Sequence, residues 1–309
     1  MGALIEIILP VFLVIGFGYA AVRLGYFTDA GVDALMRFTQ RFAIPCLLFL
    51  AIAGIDLGED FDLLLLASYY TGSIAVFVLG ILGARFLFSR PWEDSVVIGF
   101  CCLFANTVLL GLPIAGRAYG EDALAPVFSI IAIHSPFGYL LGITTMEIVR
   151  NRSGNVIGAV PRILKAMFSN ALILGIAAGF AVNLSGVALP LVMSEAVELM
   201  ARAGLPAALF GLGGVLARYR PEGDLWTVGF IVTLSLVVHP AIAYAMVQYF
   251  GLGQEALRAA VITAAMAPGV NTYIFADLYG RARRVAATSV LVGTATCAVS
   301  AWIWLQIVS

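Results

Sequence analysis

Charge is scarce in this chain. Only 11% of its 309 residues are Asp, Glu, Lys or Arg, against roughly a quarter in ordinary soluble domains. Apolar residues make up 62%, more than one water-soluble core of this length can hide. The formal net charge is −1 and no run of basic residues marks an arm for nucleic acid, so a nucleic-acid partner is not expected. Cysteine is equally sparse. Cys46, Cys101, Cys102 and Cys297 all lie inside apolar stretches without CxxC or Cys/His spacing, which leaves no basis for a disulfide framework or a metal site. Each reads instead as a small buried hydrophobe. The constellations of membrane-embedded hydrolases are missing too: HExxH is absent, and neither an aspartate pair nor a separated Ser/His dyad appears, so an enzyme is not expected. No basic segment precedes the first apolar run, Leu4 to Val22, and its first basic residue, Arg23, follows it. That run therefore reads as a retained helix and not as a cleaved leader.

What the chain does have is apolar runs of membrane-crossing length, about 20 residues each. They predict an all-α integral membrane protein with ten helices near 4–22, 36–54, 63–88, 95–118, 124–148, 167–188, 191–216, 226–250, 256–279 and 286–308. Placing Arg23, Arg37 and Arg41 in the cytoplasm and alternating from there puts fourteen of the seventeen basic residues on that side. Only Arg117, Arg202 and Arg258 fall on the other. Such a bias predicts an even number of spans with both termini outside the cytoplasm. The expected location is the inner, cytoplasmic membrane, with the lipid bilayer as solvent.

The halves of the chain resemble each other. Arg-Phe-Ala-Ile-Pro-Cys-Leu-Leu-Phe around Pro45 returns as Arg-Ala-Gly-Leu-Pro-Ala-Ala-Leu-Phe around Pro206, 161 positions later. The Tyr-Gly pair ending at Gly120 returns at Gly280, 160 positions later. A common offset predicts a five-helix repeat at 1–149, a short cytoplasmic linker at 150–166 and a second repeat at 167–309. Because five is odd, the copies must be inverted, the architecture of secondary transporters.

In such folds the site forms at interrupted helices in matching positions. The fourth run carries Asn106, Thr107, Gly111, Leu112 and Pro113 in mid-span, and the ninth carries Pro268, Gly269, Val270, Asn271 and Thr272. Proline removes a helical donor and pushes the preceding residue toward extended backbone, so helices 4 and 9 are both expected to break at their prolines, where they cross. Half-helix N-termini with their free N–H groups would then form an anion site that needs no basic side chain, with Asn106 and Asn271 adding amide donors. Pro45 and Pro206 are expected to kink helices 2 and 7. His134 and Ser135 sit at a bend in helix 5. His134 could meet substrate or relay a proton, or be satisfied by a neighbouring carbonyl, and the residues leave both open. His239 carries the same ambiguity. Asp277, past the ninth-helix break, is a candidate for coupling to H⁺ or Na⁺, with an interfacial pair as its alternative. No cofactor is expected; the possible driving forces are H⁺, Na⁺ or the membrane potential alone.

The motif Asn106-Thr-Val-Leu-Leu-Gly-Leu-Pro113, its partner Ala267-Pro-Gly-Val-Asn-Thr272 and the Phe42-Ala-Ile-Pro45 run resemble the signatures of the auxin efflux carrier family, within the wider group of sodium/bile-acid symporters. The resemblance covers essentially the whole chain. It implies crossed broken helices, a scaffold part and a transport part moving as an elevator, and a homodimer. It implies a small organic anion as substrate, an auxin-like acid or a dicarboxylate such as malonate or malate. Asn106, Gly111, Pro113 and Pro268 with its neighbours become carboxylate-site candidates by position. The short linker, in place of the long loop of many plant members, suits a bacterial member. Two alternatives stand beside this reading. A Na⁺-coupled carrier of the bile-acid type needs more oxygen ligands than Asn106, Thr107, Asn271 and Thr272 provide. A sensor built on a transporter fold is the other.

Overall fold

The computed structural model describes residues 4–58, 61–150, 161, 170–220 and 224–309. The regular structure described is helical. A π-helical turn, Leu4–Ile8, leads into α1 (Leu9–Arg23). α2 (Asp29–Phe38) passes through a second π-turn, Thr39–Ala43, into α3 (Ile44–Gly54). There follow α4 (Leu63–Phe86), α5 (Trp92–Leu103), a π-turn at Thr107–Gly111, α6 (Leu112–Tyr119) and α7 (Ala125–Arg150). The second half has α8 (Ala171–Ser185), α9 (Leu191–Arg218) and α10 (Leu225–Thr233), the last running through a π-turn at Leu234–Val238 into α11 (His239–Phe250). It closes with α12 (Gln254–Ala264), α13 (Val270–Tyr279) and α14 (Arg283–Ile307).

Seven helical stretches among the described residues are long and apolar enough to cross a bilayer. The expected second span begins earlier than its apolar run, at Asp29, because the amphipathic α2 joins α3 through the π-turn. Of the three other expected spans, one appears as the shorter α8, and those at 95–118 and 256–279 are each interrupted between two helices. The 150–166 linker lies outside the described residues, apart from Arg150 and Pro161.

Loop chemistry sets most helix starts. Thr28, Asp62, Asn170 and Asp224 each cap a helix by accepting a backbone N–H, at 2.7 to 3.1 Å. Asp224 also accepts from the Thr227 hydroxyl (2.6 Å) and from Arg90 (3.1 Å). The Thr227 contact foremost, with the backbone donors and Arg90, holds its carboxyl below the usual carboxylate range.

Proline has a local rule here. Pro10, Pro45, Pro113 and Pro240 each sit two residues after a π-turn. The wider turn absorbs the hydrogen bond that proline cannot make. At Pro240 the carbonyl four residues back, Leu236, is taken instead by the Trp304 indole N–H (2.9 Å) and the Ser300 hydroxyl (3.2 Å). Pro45 thus changes its helix through a π-turn. Pro206, the expected counterpart, lies inside α9, which stays α-helical throughout.

The helices gather into two panels. α1, α2 and α3 pack along α9 and α8 packs on α3, while α4, α5, α10, α11, α12, α13 and α14 form the other group. α7 touches both. α1 and α9 approach closely through small residues: a Cβ on Gly213 would lie 1.9 Å from the Ile15 carbonyl oxygen, and one on Gly18 equally near that of Phe210. Small residues at a crossing are how helices gain contact where water supplies no drive.

Candidate functional site

The two interruptions meet. α5 ends at Leu103, and Phe104, Ala105 and Asn106 leave the helix before the Thr107–Gly111 turn begins. α12 ends at Ala264, and Gly269 is the extended cap of α13. The Asn106 N–H donates to the Ala267 carbonyl and the Gly269 N–H to the Phe104 carbonyl, both at 2.8 Å, around an antiparallel bridge between Ala105 and Pro268. This is one rung of a two-stranded sheet inside a helical protein. It satisfies backbone groups that would be costly if orphaned in hydrocarbon. Proline fits there because a residue in a non-hydrogen-bonded pair needs no N–H. Behind it, Gly293 of α14 lets the ring in: a Cβ at Gly293 would come within 2.7 Å of Pro268 Cδ.

One expectation needs correcting. Pro113 does not break the fourth helix. Leu112 before it is helical, at φ −61° and ψ −51°, and Pro113 occupies the first turn of α6, where no donor is required. The break lies upstream, at Phe104–Asn106, and Pro113 is accommodated by the π-turn. In the ninth helix the break does fall at its proline.

Beside the paired segments lies a cavity of about 460 Å³ at the junction of the panels. Asn106, Thr107, Ser135, Gly269, Val270 and Asn271 line it. Asn106 is 7% exposed. Its Oδ1 accepts from the Leu109 N–H at 3.3 Å, while its buried Nδ2 donor has no partner among the described residues. The first turn of α13, with Asn271, points the positive end of a helix dipole to the same place.

The remaining candidates do not line the cavity. Gly111 and Leu112 are buried in the π-turn and the core. The buried Thr272 hydroxyl donates to the Gly269 carbonyl (2.7 Å) and braces the α13 start. His134 is buried against the break: Nε2 lies 3.2 Å from the Ala105 carbonyl and Nδ1 3.4 Å from the Tyr69 hydroxyl. A neutral imidazole donating through Nε2 and accepting at Nδ1 satisfies both contacts. His239 is also buried, 3.1 Å from the Ser73 hydroxyl, and the Tyr69 ring lies between the two histidines, with centroids at 5.8 and 5.0 Å. Asp277 is exposed and pairs with Arg283 at 3.0 Å.

Sequence reasoning passed over four polar lining residues: Gln40, Arg41, Tyr139 and Asn170. Arg41 matters most, since the cavity was expected to hold an anion without any basic side chain. Instead, one arginine, the exposed Arg41, is among its lining residues, no described acidic residue is, and no carboxylate pairs with Arg41 among the described residues. Its sequence position beside a predicted helix start read as an orienting charge, and the helical turn that sets it at the cavity was not visible. Glu147, buried near the end of α7, was passed over as well.

Many apolar helices, two expected spans interrupted and stitched together beside a cavity with polar lining, define a multi-pass membrane protein. The chain belongs to the family described as membrane transport protein, whose model matches residues 3–155 and 159–305. It is 24% identical to a Rhizobium meliloti protein named "Putative malonate transporter", over 95% of this chain and 92% of the relative. It is also 24% identical to Auxin efflux carrier component 5 of Arabidopsis thaliana, over 94% and 92% of the two chains. The uncharacterized transporter YfdV of Escherichia coli matches at 24% over 97% and 96%. These matches establish a transport protein of the auxin efflux carrier family, similar to bacterial members.

Proposed function

We propose that the chain is a secondary transporter that carries a small organic anion, with the cavity beside the paired breaks as its substrate site. The observation that carries this reading is the lining: Arg41 and Asn106, whose buried amide donor has no partner among the described residues, border a space lined by no described acidic residue. A carboxylate there would gain one charge-assisted bond from Arg41, amide donors from Asn106 and Asn271, and the dipole of α13. A cavity of about 460 Å³ lies in the usual range for small-molecule sites. It has room for a short dicarboxylate or an auxin-sized acid, and malonate and auxin are the solutes in the names of two relatives.

In this reading the interrupted pairs α5–α6 and α12–α13 are two crossed spans. With the seven long stretches and α8 they make ten, in two inverted halves of five. The panel of α1, α2, α3, α8 and α9 is the scaffold, and the panel bearing the breaks moves against it as an elevator. Support comes from the lining, since Gln40, Arg41 and Asn170 come from one side and the breaks from the other. Both termini face away from the cytoplasm, and the protein works as a homodimer in the inner membrane. Coupling rests on the membrane potential or a proton. One charge is worth about 2.3 kcal/mol per 100 mV, and Asp277, paired at the end of α13, is poorly placed to hold a coupling ion. The Na⁺-coupled alternative is weakened because Thr272, one of its few oxygen candidates, is fully buried and does not line the cavity.

The test is uptake of labelled malonate, malate and indole-3-acetate into proteoliposomes under imposed Na⁺, H⁺ and voltage gradients. Saturable uptake of at least one acid is expected, accelerated by voltage or pH and indifferent to Na⁺. Absence of flux for every acid under every gradient overturns the substrate class.

A further inference from the structure

On the arginine-rich face, away from the cavity, a recess of about 230 Å³ opens between the C-terminal end of α9 and the start of α14. Four arginines line it, Arg218, Arg220, Arg283 and Arg284, with two half-buried tyrosines, Tyr219 and Tyr273, whose ring centroids are 5.3 Å apart. The whole chain has seventeen Lys and Arg residues, so nearly a quarter of them converge here. Chain carboxylates offset part of this charge. Arg218 pairs with Asp29 (3.0 Å) and Asp33 (2.7 Å), and Arg283 with Asp277 (3.0 Å). Arg284 also has a contact within the chain. Arg220 is exposed and pairs with no carboxylate among the described residues.

The helix that forms one wall has the wrong charges for its position. α14 begins with Arg283 and Arg284, has no acid in its first turn and no capping side chain, and follows Ala282 in the left-handed region at φ 44°. The N-terminal end of a helix is positive and favours anions. Two cations there, with the start uncapped, is a local conflict of the kind proteins keep at functional positions. An anion in the recess offsets both the crowded guanidinium groups and the dipole. Guanidinium forks match phosphate oxygens two bonds at a time, and tyrosine pairs are suited to the bilayer–water boundary.

We propose that this recess binds a phosphate-bearing anion, with Arg220 and Arg284 as its principal ligands and Tyr219 and Tyr273 as its floor. Basic pockets between membrane helices on the cytoplasmic side suit anionic lipid headgroups. A free phosphate is the other source of the same chemistry. Because α9 belongs to one panel and α13 and α14 to the other, an occupied recess ties the panels together on this face. The binding proposal does not depend on the transport reading.

The experiment measures thermal unfolding of the purified full chain in detergent, titrated with phosphatidylglycerol, phosphatidylcholine or inorganic phosphate, with bound lipids counted by native mass spectrometry. Phosphatidylglycerol should raise the melting temperature saturably and be retained, and phosphatidylcholine should do neither. Arg220→Gln, an exposed position at the end of α9, should weaken the midpoint about tenfold, the worth of roughly 1.4 kcal/mol, and the Arg220→Gln/Arg284→Gln pair should weaken it further. Arg37→Gln removes a cation outside the recess and should leave the midpoint unchanged. Saturable stabilisation by inorganic phosphate that competes with the lipid would support the site and make the free ion its ligand. A response absent for both, or equal in wild type, Arg220→Gln and Arg37→Gln, overturns the proposal. If the double variant does not fold, Arg220→Gln alone decides.

Discussion

Asn106 has one side chain and two tasks. Its oxygen caps the turn that restarts the fourth helix, and its nitrogen is left over, buried and without a partner among the described residues, on a residue that lines the cavity. A buried donor without a partner costs about 1–3 kcal/mol, a cost that a bound carboxylate would recover. Substitutions can separate the tasks. Asn106→Asp keeps an acceptor for the Leu109 N–H but replaces the donor with a negative charge. It should lose saturable anion uptake and, with a carboxylate in a buried position, melt below wild type. Asn106→Ala should lose uptake and also some stability, since both the cap and the donor are gone. An Asn106→Asp protein that takes up anion at the wild-type rate would show that the amide does not meet substrate. Arg41→Gln belongs beside it. Removing one charge-assisted bond, worth about 1.5–3 kcal/mol, should raise KM roughly 10- to 100-fold while the melting temperature stays put, because Arg41 has no ion pair to lose among the described residues. An unchanged KM would leave Arg41 as a charge at the cavity mouth.

At the scale of elements, the paired breaks depend on how closely α14 approaches them. Gly293 sits against the Pro268 ring, and a methyl group there would have to displace it from 2.7 Å. Gly293→Ala should therefore cost about 1–3 kcal/mol and shift the rung between Phe104–Asn106 and Ala267–Gly269. It would be read as a fall in melting temperature together with lost uptake. Gly16→Ala in α1, where nothing lies within 4 Å, is the matched control and should be near neutral. Equal behaviour of the two variants would mean that the contact with Pro268 carries no load. This level also shows what could be read from sequence. The ninth-helix break was legible because Pro268 and Gly269 interrupt an otherwise apolar run, and Asn106 was legible as a polar residue in mid-span. Pro113 misled because the same residue that breaks a helix in its interior is tolerated in a first turn, and the π-turn that converts one case into the other leaves no composition signal. Pro10, Pro45 and Pro240 follow the same pattern, which becomes visible only once the backbone is traced. Arg41 was missed for a related reason: which way a side chain turns at Thr39–Ala43 depends on the extra residue of that turn, and a 3.6-residue period does not contain it.

For the whole molecule, the open matter is how the helices are threaded through the bilayer, and the arginines supply an answer that can be tested. Fourteen of seventeen basic residues fall on one face if the chain crosses ten times, and that count needs the two interrupted pairs and α8 as full spans. Surface ion pairs add consistent detail: Glu93 of α5 pairs with Arg281 and, at 3.5 Å, with Arg150, and Arg90 with Asp224. Residues expected on one face thus meet one another across four helix ends. The native cysteines suit a labelling experiment, since three are buried and Cys46 is half-buried. Tyr26→Cys, 84% exposed between α1 and α2, and Val187→Cys, 66% exposed between α8 and α9, are placed on opposite faces by the ten-span threading. In intact cells a membrane-impermeant maleimide should label Val187→Cys and Ser309→Cys, and reach Tyr26→Cys only after permeabilisation. Reversal of all three would invert the orientation and detach it from the arginine bias. Val187 and Tyr26 labelling from the same side would remove one crossing between them. Either the short α8 or the interrupted α5–α6 pair would then fail to cross, and the reading of two inverted halves of five would fall with it.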